Sequence, residues 1–235
     1  MLQSSVYKFK DQLDAATKML EILPKKELVE AKTIVVCMSL DSVIMTDEIC
    51  KGLGLSYEML FSEPIAAPNN NECDIAIVSE TEDIVVNDEL TKAFDITYDF
   101  IYGEAHRKYE EKILKNVYKF RKGNLLRSLK GSNVLLMDEG CETGLTALVC
   151  IKTLSKLKVK TISYATPIIA TDVATSLSDL VDEIYTVEKV ADFIDVDTYY
   201  NKKIEANSEC IISILEDSPY YLPLQKQQGE KTNAI

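Results

Sequence analysis

Apolar side chains at Leu13, Ala16, Met19, Leu20 and Leu23 recur at helical spacing and predict a helix from about Val6 to Leu23, ended by Pro24. Lys32–Met38 (KTIVVCM) is a short β-branched run without polar alternation, the pattern of a strand buried on both faces. Val43–Leu53 reads as a helix and Tyr57–Phe61 as a second strand. Pro64–Asn71 (PIAAPNNN) reads as a loop by its Pro and Asn content. Asp74–Ser79 and Asp83–Val86 read as paired, antiparallel strands. From Asp88 to about Lys122 the pattern becomes helical and strongly charged, predicting two helices with a break near Gly103.

Beyond Gly131, strands and helices alternate. Asn133–Met137 is a strand, Asp138–Gly144 a turn and Thr146–Leu157 an amphipathic helix. Val159–Ala165 is a strand, Asp172–Val181 a helix and Glu183–Thr186 a last short strand. This order predicts an α/β fold: a three-layer, open, mainly parallel sheet with helices on both faces. One domain over residues 1–222 is expected, with a small helical hood from about 1–30 and 88–122. The polar stretch 223–235 reads as a disordered tail.

The totals narrow the function classes. A chain of 235 residues, 46% hydrophobic and 27% charged, suits one sizeable packed domain. No run approaches the roughly 18–20 apolar residues of a membrane span. The start Met1-Leu2-Gln3-Ser4-Ser5 lacks the basic segment and apolar core of a secretory leader, so a cytoplasmic protein is expected. The six cysteines include no C-x-x-C pair, and His106 is the single histidine. Reduced, mostly buried thiols are therefore expected rather than a zinc site or a disulfide scaffold. The net charge of −12 disfavours nucleic acid, whose phosphates call for Lys and Arg. It leaves room for a small anion held by backbone amides.

The segment that carries chemistry is Asn133–Thr146 (NVLLMDEGCETGLT). A buried apolar strand ends in two adjacent carboxylates, Asp138 and Glu139, and after a tight turn Thr-Gly-x-Thr opens a helix. Gly144 permits close backbone approach, and the hydroxyls of Thr143 and Thr146 join the helix's unpaired N–H groups as an anion cradle. Carboxylates beside such a cradle can accept hydrogen bonds from sugar hydroxyls. Phosphate at one end and vicinal hydroxyls at the other describe a ribose 5-phosphate, at the strand end where open α/β sheets bind ligands.

This segment resembles the signature of type I phosphoribosyltransferases. More narrowly, the chain is similar from about Ile34 to Tyr200 to a predicted-phosphoribosyltransferase group with poorly defined substrates. The likeness takes in Ala67-Pro68-Asn69 before Asp74–Ile77, the charged helix ending near Arg121 and the strand end at Ala165–Pro167. The resemblance implies that Asp138 and Glu139 hold the ribose 2- and 3-hydroxyls. It implies that Gly140, Cys141, Glu142, Thr143, Gly144, Leu145 and Thr146 wrap the 5-phosphate of phosphoribosyl pyrophosphate (PRPP), with Mg²⁺ accompanying the ligand near Asp138 and Glu139. The implied activity is phosphoribosyl transfer in nucleotide metabolism, onto a nucleobase or another acceptor. Glu142 stands where purine-salvage relatives place an aspartate general base; its plain alternative is an exposed turn residue.

The chain departs from the pattern at the pyrophosphate loop. Where the group commonly has Pro-Arg-Gly-Gly after the first strand, this sequence has Met38-Ser39-Leu40-Asp41-Ser42. Asp41 adds negative charge there, and like charges about 4 Å apart repel by roughly 1 kcal/mol in water. Glu63 stands near the Ala-Pro-Asn stretch, where the group tends to be basic. The leading reading is a transferase, and its alternative a catalytically impaired relative that senses a phosphorylated ribose or nucleotide, which the altered loop favours over a brisk enzyme. A partner-binding protein with a vestigial site is a third. Arg107, Lys108 and Arg121 are candidates for a lid that lends positive charge. Gly54 reads as a helix cap, Asp195 and Asp197 as a polar turn, and His106 as a surface residue. A homodimer is the commonest symmetric assembly.

Overall fold

The computed structural model describes residues 7–202 and 207–225. Its centre is a five-stranded sheet of β1 (Ile34–Cys37), β2 (Tyr57–Met59), β6 (Asn133–Met137), β7 (Thr161–Ala170) and β8 (Glu183–Val190), in the order β2-β1-β6-β7-β8. Every pairing is parallel. A second sheet, β3-β4-β5, is antiparallel and built from β3 (Ser62–Ala67), β4 (Asn70–Ser79) and β5 (Ile84–Val86).

Side chains of the central strands alternate between two apolar clusters, as the period of two requires. Val35, Cys37, Leu135 and Met137 face one layer, with α1 (Gln12–Ile22), α3 (Val43–Leu53) and α9 (Ser208–Asp217). Val36, Val134 and Leu136 face the other, with α7 (Leu145–Lys156) and α8 (Thr171–Ser178). The parallel sheet is thus covered on both sides, which explains why its strands read as unbroken apolar runs. The small sheet packs against α7 and against the helical rod 98–121.

Several expectations are corrected. Pro64–Asn71 is not a loop: it is most of β3, a two-residue turn at Pro68-Asn69 and the start of β4. Pro64 is tolerated because β3 is a sheet edge, where a missing N–H costs no ladder bond. The helical break falls at Phe94–Thr97, between α4 (Asp88–Ala93) and α5 (Tyr98–Lys108), rather than at Gly103. Thr97 sets that boundary by accepting the Phe100 N–H, while Asp95 takes a left-handed φ of 52°. From Tyr98 the rod continues through a π segment, Tyr109–Ile113, into α6 (Leu114–Arg121).

β7 runs on to Ala170 through Pro167, and β8 to Val190, both further than the sequence pattern indicates. Finally, α2 (Lys25–Glu30) and α9 were not expected. The helix expected from Val6 begins at Gln12, capped by Asp11, and Val6 lies outside the described residues. Of the expected polar tail, 226–235 lies outside them too, and Leu222–Leu224 form a 3-10 turn.

Candidate ligand-binding site at the strand-order reversal

From β1 the chain crosses outward to β2, and later returns to β6 on the other side of β1. The order therefore reverses between β1 and β6, and the carboxyl ends of those two strands border the crevice where such sheets take ligands. Cys37 and Met137 are register partners, and the Met38 N–H donates to the Met137 carbonyl at 3.1 Å. The loops that follow, Ser39–Ser42 and Asp138–Gly144, consequently emerge side by side.

Asp138 and Glu139 both face the β1 loop. The Ser39 hydroxyl lies 2.6 Å from Glu139 Oε2 and 3.1 Å from Asp138 Oδ1. Asp138 is only 7% exposed. Burial, and next the Glu139 carboxylate, hold its carboxyl well above the ordinary carboxylate range, against the opposing hydrogen bond from Ser39. The Tyr200 hydroxyl donates to the Glu139 carbonyl at 2.7 Å and holds this turn from the far side.

Gly140 and Cys141 form the floor of the turn. A Cβ on Gly140 would come within 2.7 Å of Val196 Cγ1, so glycine is needed for the close approach. Because β7 outruns β6, Cys141 can pair with it: its N–H donates to the Ile168 carbonyl at 2.9 Å and its carbonyl accepts the Ala170 N–H at 3.0 Å. The Cys141 amide is thus spent within the protein, and burial pushes its thiol up to about 12.

Gly144 precedes α7 with φ 74° and ψ 0°, and a Cβ there would also meet Val173 Cγ1 at 2.8 Å. Thr143 is exposed, and its hydroxyl makes only a long 3.4 Å bond with the Leu145 N–H. Among the described residues, the N–H groups of Glu142, Thr143 and Thr146 have no protein acceptor. The Thr146 N–H belongs to the first turn of α7, and those of Glu142 and Thr143 lie in the turn just ahead of its cap Gly144, where the helix dipole favours an anion.

A cleft of about 710 Å³ brings these parts together. Its walls are Ser39, Asp138 to Leu148, Val196, and residues of β4, β5 and the start of α4. A second hollow of about 300 Å³ lies on the other side of Thr143 and Thr146, and includes Ser39, Asp41, Glu63, Asp74 and Asn116. Glu72, Asp74, Asp88, Asp138, Glu139 and Glu142 all line the first cleft, and among the described residues no Lys, Arg or His lines either hollow. Partial burial raises Glu142, Asp74 and Glu63; Asp195 adds to the effect at Glu142, whereas Lys108 opposes it at Asp74 and Glu63.

The structure brings the whole Gly140–Thr146 segment and Ser39 to the first cleft, and Leu40 and Asp41 to the second. Ser42 is buried behind them. Glu72, Asp74, Asn87 and Asp88 are not among the expected site residues, since they reach the cleft only through the packing of β4 and β5 against α7 and of α4 against β4. The expected basic lid is corrected in two members. Arg121 is fully buried and ion-paired with Glu80, and Arg107 is tied to Glu104 and Glu111 on its own helix. His106 is exposed beside Glu110, and Gly54 caps α3 with φ 70°.

The structure of TT1426 from Thermus thermophilus superposes with a TM-score of 0.69 at 20% identity, over 90% of this chain and 99% of that one. The two chains share a fold. Purine phosphoribosyltransferase from Pyrococcus horikoshii matches at a TM-score of 0.44 and 17% identity, over 81% of this chain and 90% of that one. A hypothetical protein from Neisseria gonorrhoeae with bound ppGpp matches at 0.41 and 11%, over 84% and 96%. No family model and no curated protein matches the chain. Among the described residues, no helix is long and apolar enough to cross a membrane.

Proposed function

We propose that this chain is a phosphoribosyltransferase-like protein that binds a phosphorylated ribose or nucleotide. Its phosphate would lie on the Thr143–Thr146 turn and its sugar hydroxyls on Asp138 and Glu139. The observation that carries the reading is that both groups face one cleft at the strand-order reversal. The free amides at and just before the start of α7 suit a phosphate, and the acid pair suits hydroxyl donors.

The charge of the cleft shapes the reading. A phosphate entering a wall of carboxylates without a basic side chain is opposed by each of them. Among the described residues, no group of three or more His, Cys, Asp or Glu forms a ready metal site. The residues fit instead a Mg²⁺ ion that arrives with its ligand, since Mg²⁺ is commonly held by one or two carboxylates together with substrate phosphates. Asp138 and Glu139 would hold it, and its charge would offset that of the phosphate. The six free cysteines suit a reducing cytoplasm.

Binding without efficient transfer is the favoured form. The loop after β1 offers no basic side chain or glycine to a pyrophosphate, and its Ser42 N–H is engaged by Ser39 Oγ at 3.0 Å. The transferase reading draws on Glu142, which is exposed at the cleft with a raised pKa, as a general base requires. Calorimetry with ribose 5-phosphate, PRPP and nucleoside monophosphates, each with and without Mg²⁺, separates the cases. Binding is expected to depend on Mg²⁺. Thr143→Ala should weaken it at least about tenfold, from loss of a charged-group hydrogen bond of about 1.5–3 kcal/mol. No binding by the wild type to any of these would sink the reading, and pyrophosphate release with a nucleobase would move it to transfer.

A further inference from the structure

The Ser39 hydroxyl already makes the contacts that a sugar hydroxyl would make. A hydroxyl carries one proton, so it can donate to only one of two carboxyls. Glu139 Oε2 at 2.6 Å is the nearer acceptor of that proton, and Asp138 Oδ1, the alternative acceptor, lies at 3.1 Å. Ser39 is also held from behind. The Ser42 N–H donates to Ser39 Oγ at 3.0 Å, the Ser42 hydroxyl to the Ser39 carbonyl at 3.2 Å, and the Cys37 thiol to the same carbonyl at 3.1 Å.

We propose that Ser39 is an internal competitor for the acid pair: its hydroxyl stands in for a ligand hydroxyl, and the Ser39–Ser42 turn must withdraw before a sugar can bind. The inference rests on the reading of Asp138 and Glu139 as a hydroxyl-binding pair. An incoming diol exchanges its bonds for those of Ser39, so its net gain is what remains after Ser39 is displaced. Ser42 Oγ, 2.9 Å from Ser39 Oγ, is the partner left to the displaced serine. The residue therefore sets the affinity of the site without touching the phosphate.

Ser39→Ala tests this by calorimetry with ribose 5-phosphate and Mg²⁺. The variant is expected to bind about tenfold more tightly than the wild type, the size of one hydrogen bond to a charged group, and Ser39→Thr, which keeps the hydroxyl, to stay near wild type. Amide exchange on the wild type gives a second readout that needs no variant. Saturation with ribose 5-phosphate and Mg²⁺ is expected to speed exchange at Ser42 while slowing it at Thr146. Slower exchange at both, or equal or weaker binding by a folded Ser39→Ala protein, overturns the inference and leaves the site reading intact. Absence of binding by both wild type and variant removes the site reading, and this inference with it.

Discussion

Ser218 donates its hydroxyl to the buried carboxylate of Asp47, 171 positions earlier in the chain, tying the segment after α9 to the middle of α3. Asp47 also accepts the Tyr57 hydroxyl at 3.2 Å and pairs with Lys51 at 2.8 Å. A carboxylate only 3% exposed is tolerable because several donors replace its water. Next to it, the Tyr57 N–H donates to the Tyr220 carbonyl at 2.9 Å, so the C-terminal segment covers the outer edge of β2.

Asp47→Ala should therefore cost about 2–4 kcal/mol, because it strands the buried Tyr57 and Ser218 hydroxyls and loosens the β2 edge. Ser218→Ala should cost about 1–2 kcal/mol. Denaturant unfolding measures both. Asp47→Ala as stable as the wild type would show that the C-terminal segment is held by other contacts.

Glu58 on β2 makes stability depend on pH. It is 2% exposed, and burial, partly offset by Arg121 and Arg127, pushes its pKa to about 7. The folded state therefore binds the proton more tightly than the unfolded chain, whose carboxyl titrates near 4.5. Between those two values the folded state holds more protons, so the stability contribution falls as pH rises and levels off above about 7. The full effect is at most about 3 kcal/mol. Glu58→Gln should raise the melting temperature at pH 8 more than at pH 5. A difference that does not change with pH would contradict this.

The thiols should separate by access. Cys210 is exposed and Cys73 half-buried, while Cys37, Cys50, Cys141 and Cys150 are buried. Burial pushes Cys37 and Cys141 up to about 12, leaving almost no thiolate at neutral pH. Timed alkylation followed by mass spectrometry should label Cys210 first and Cys73 next, with the other four labelled only on unfolding. Early labelling of Cys141 would mean that the Asp138–Gly144 turn opens away from β7.

Much of the architecture was legible along the chain. Val43–Leu53 and Asn133–Met137 match their elements end to end, and the strand–helix alternation fixes the parallel sheet with its two covered faces. These follow from local preference and from burial on both faces. Where local signals misled, a neighbour explains it. Pro64 sits in a strand because that strand is an edge, and Gly103 continues a helix because Thr97 and Asp95 had already placed the boundary. Strand β7 exceeds its pattern because β8 pairs with it as far as Ala170, a neighbour no local signal reveals.

What the sequence by itself determined was the type and order of the elements and the presence of an acid pair ahead of a Thr-Gly-x-Thr helix start. The tertiary structure alone decided what each charge and hydroxyl meets. Arg121 is turned inward onto Glu80 and the Phe61 ring, 4.9 Å away; Asp74 and Asp88 reach a cleft made largely by another part of the chain; and Ser39 meets Glu139 from 100 positions away. The physical reason is range: backbone preference and apolar periodicity act over a few residues, whereas a carboxylate's partners are set by strands that become neighbours only when the sheet has formed.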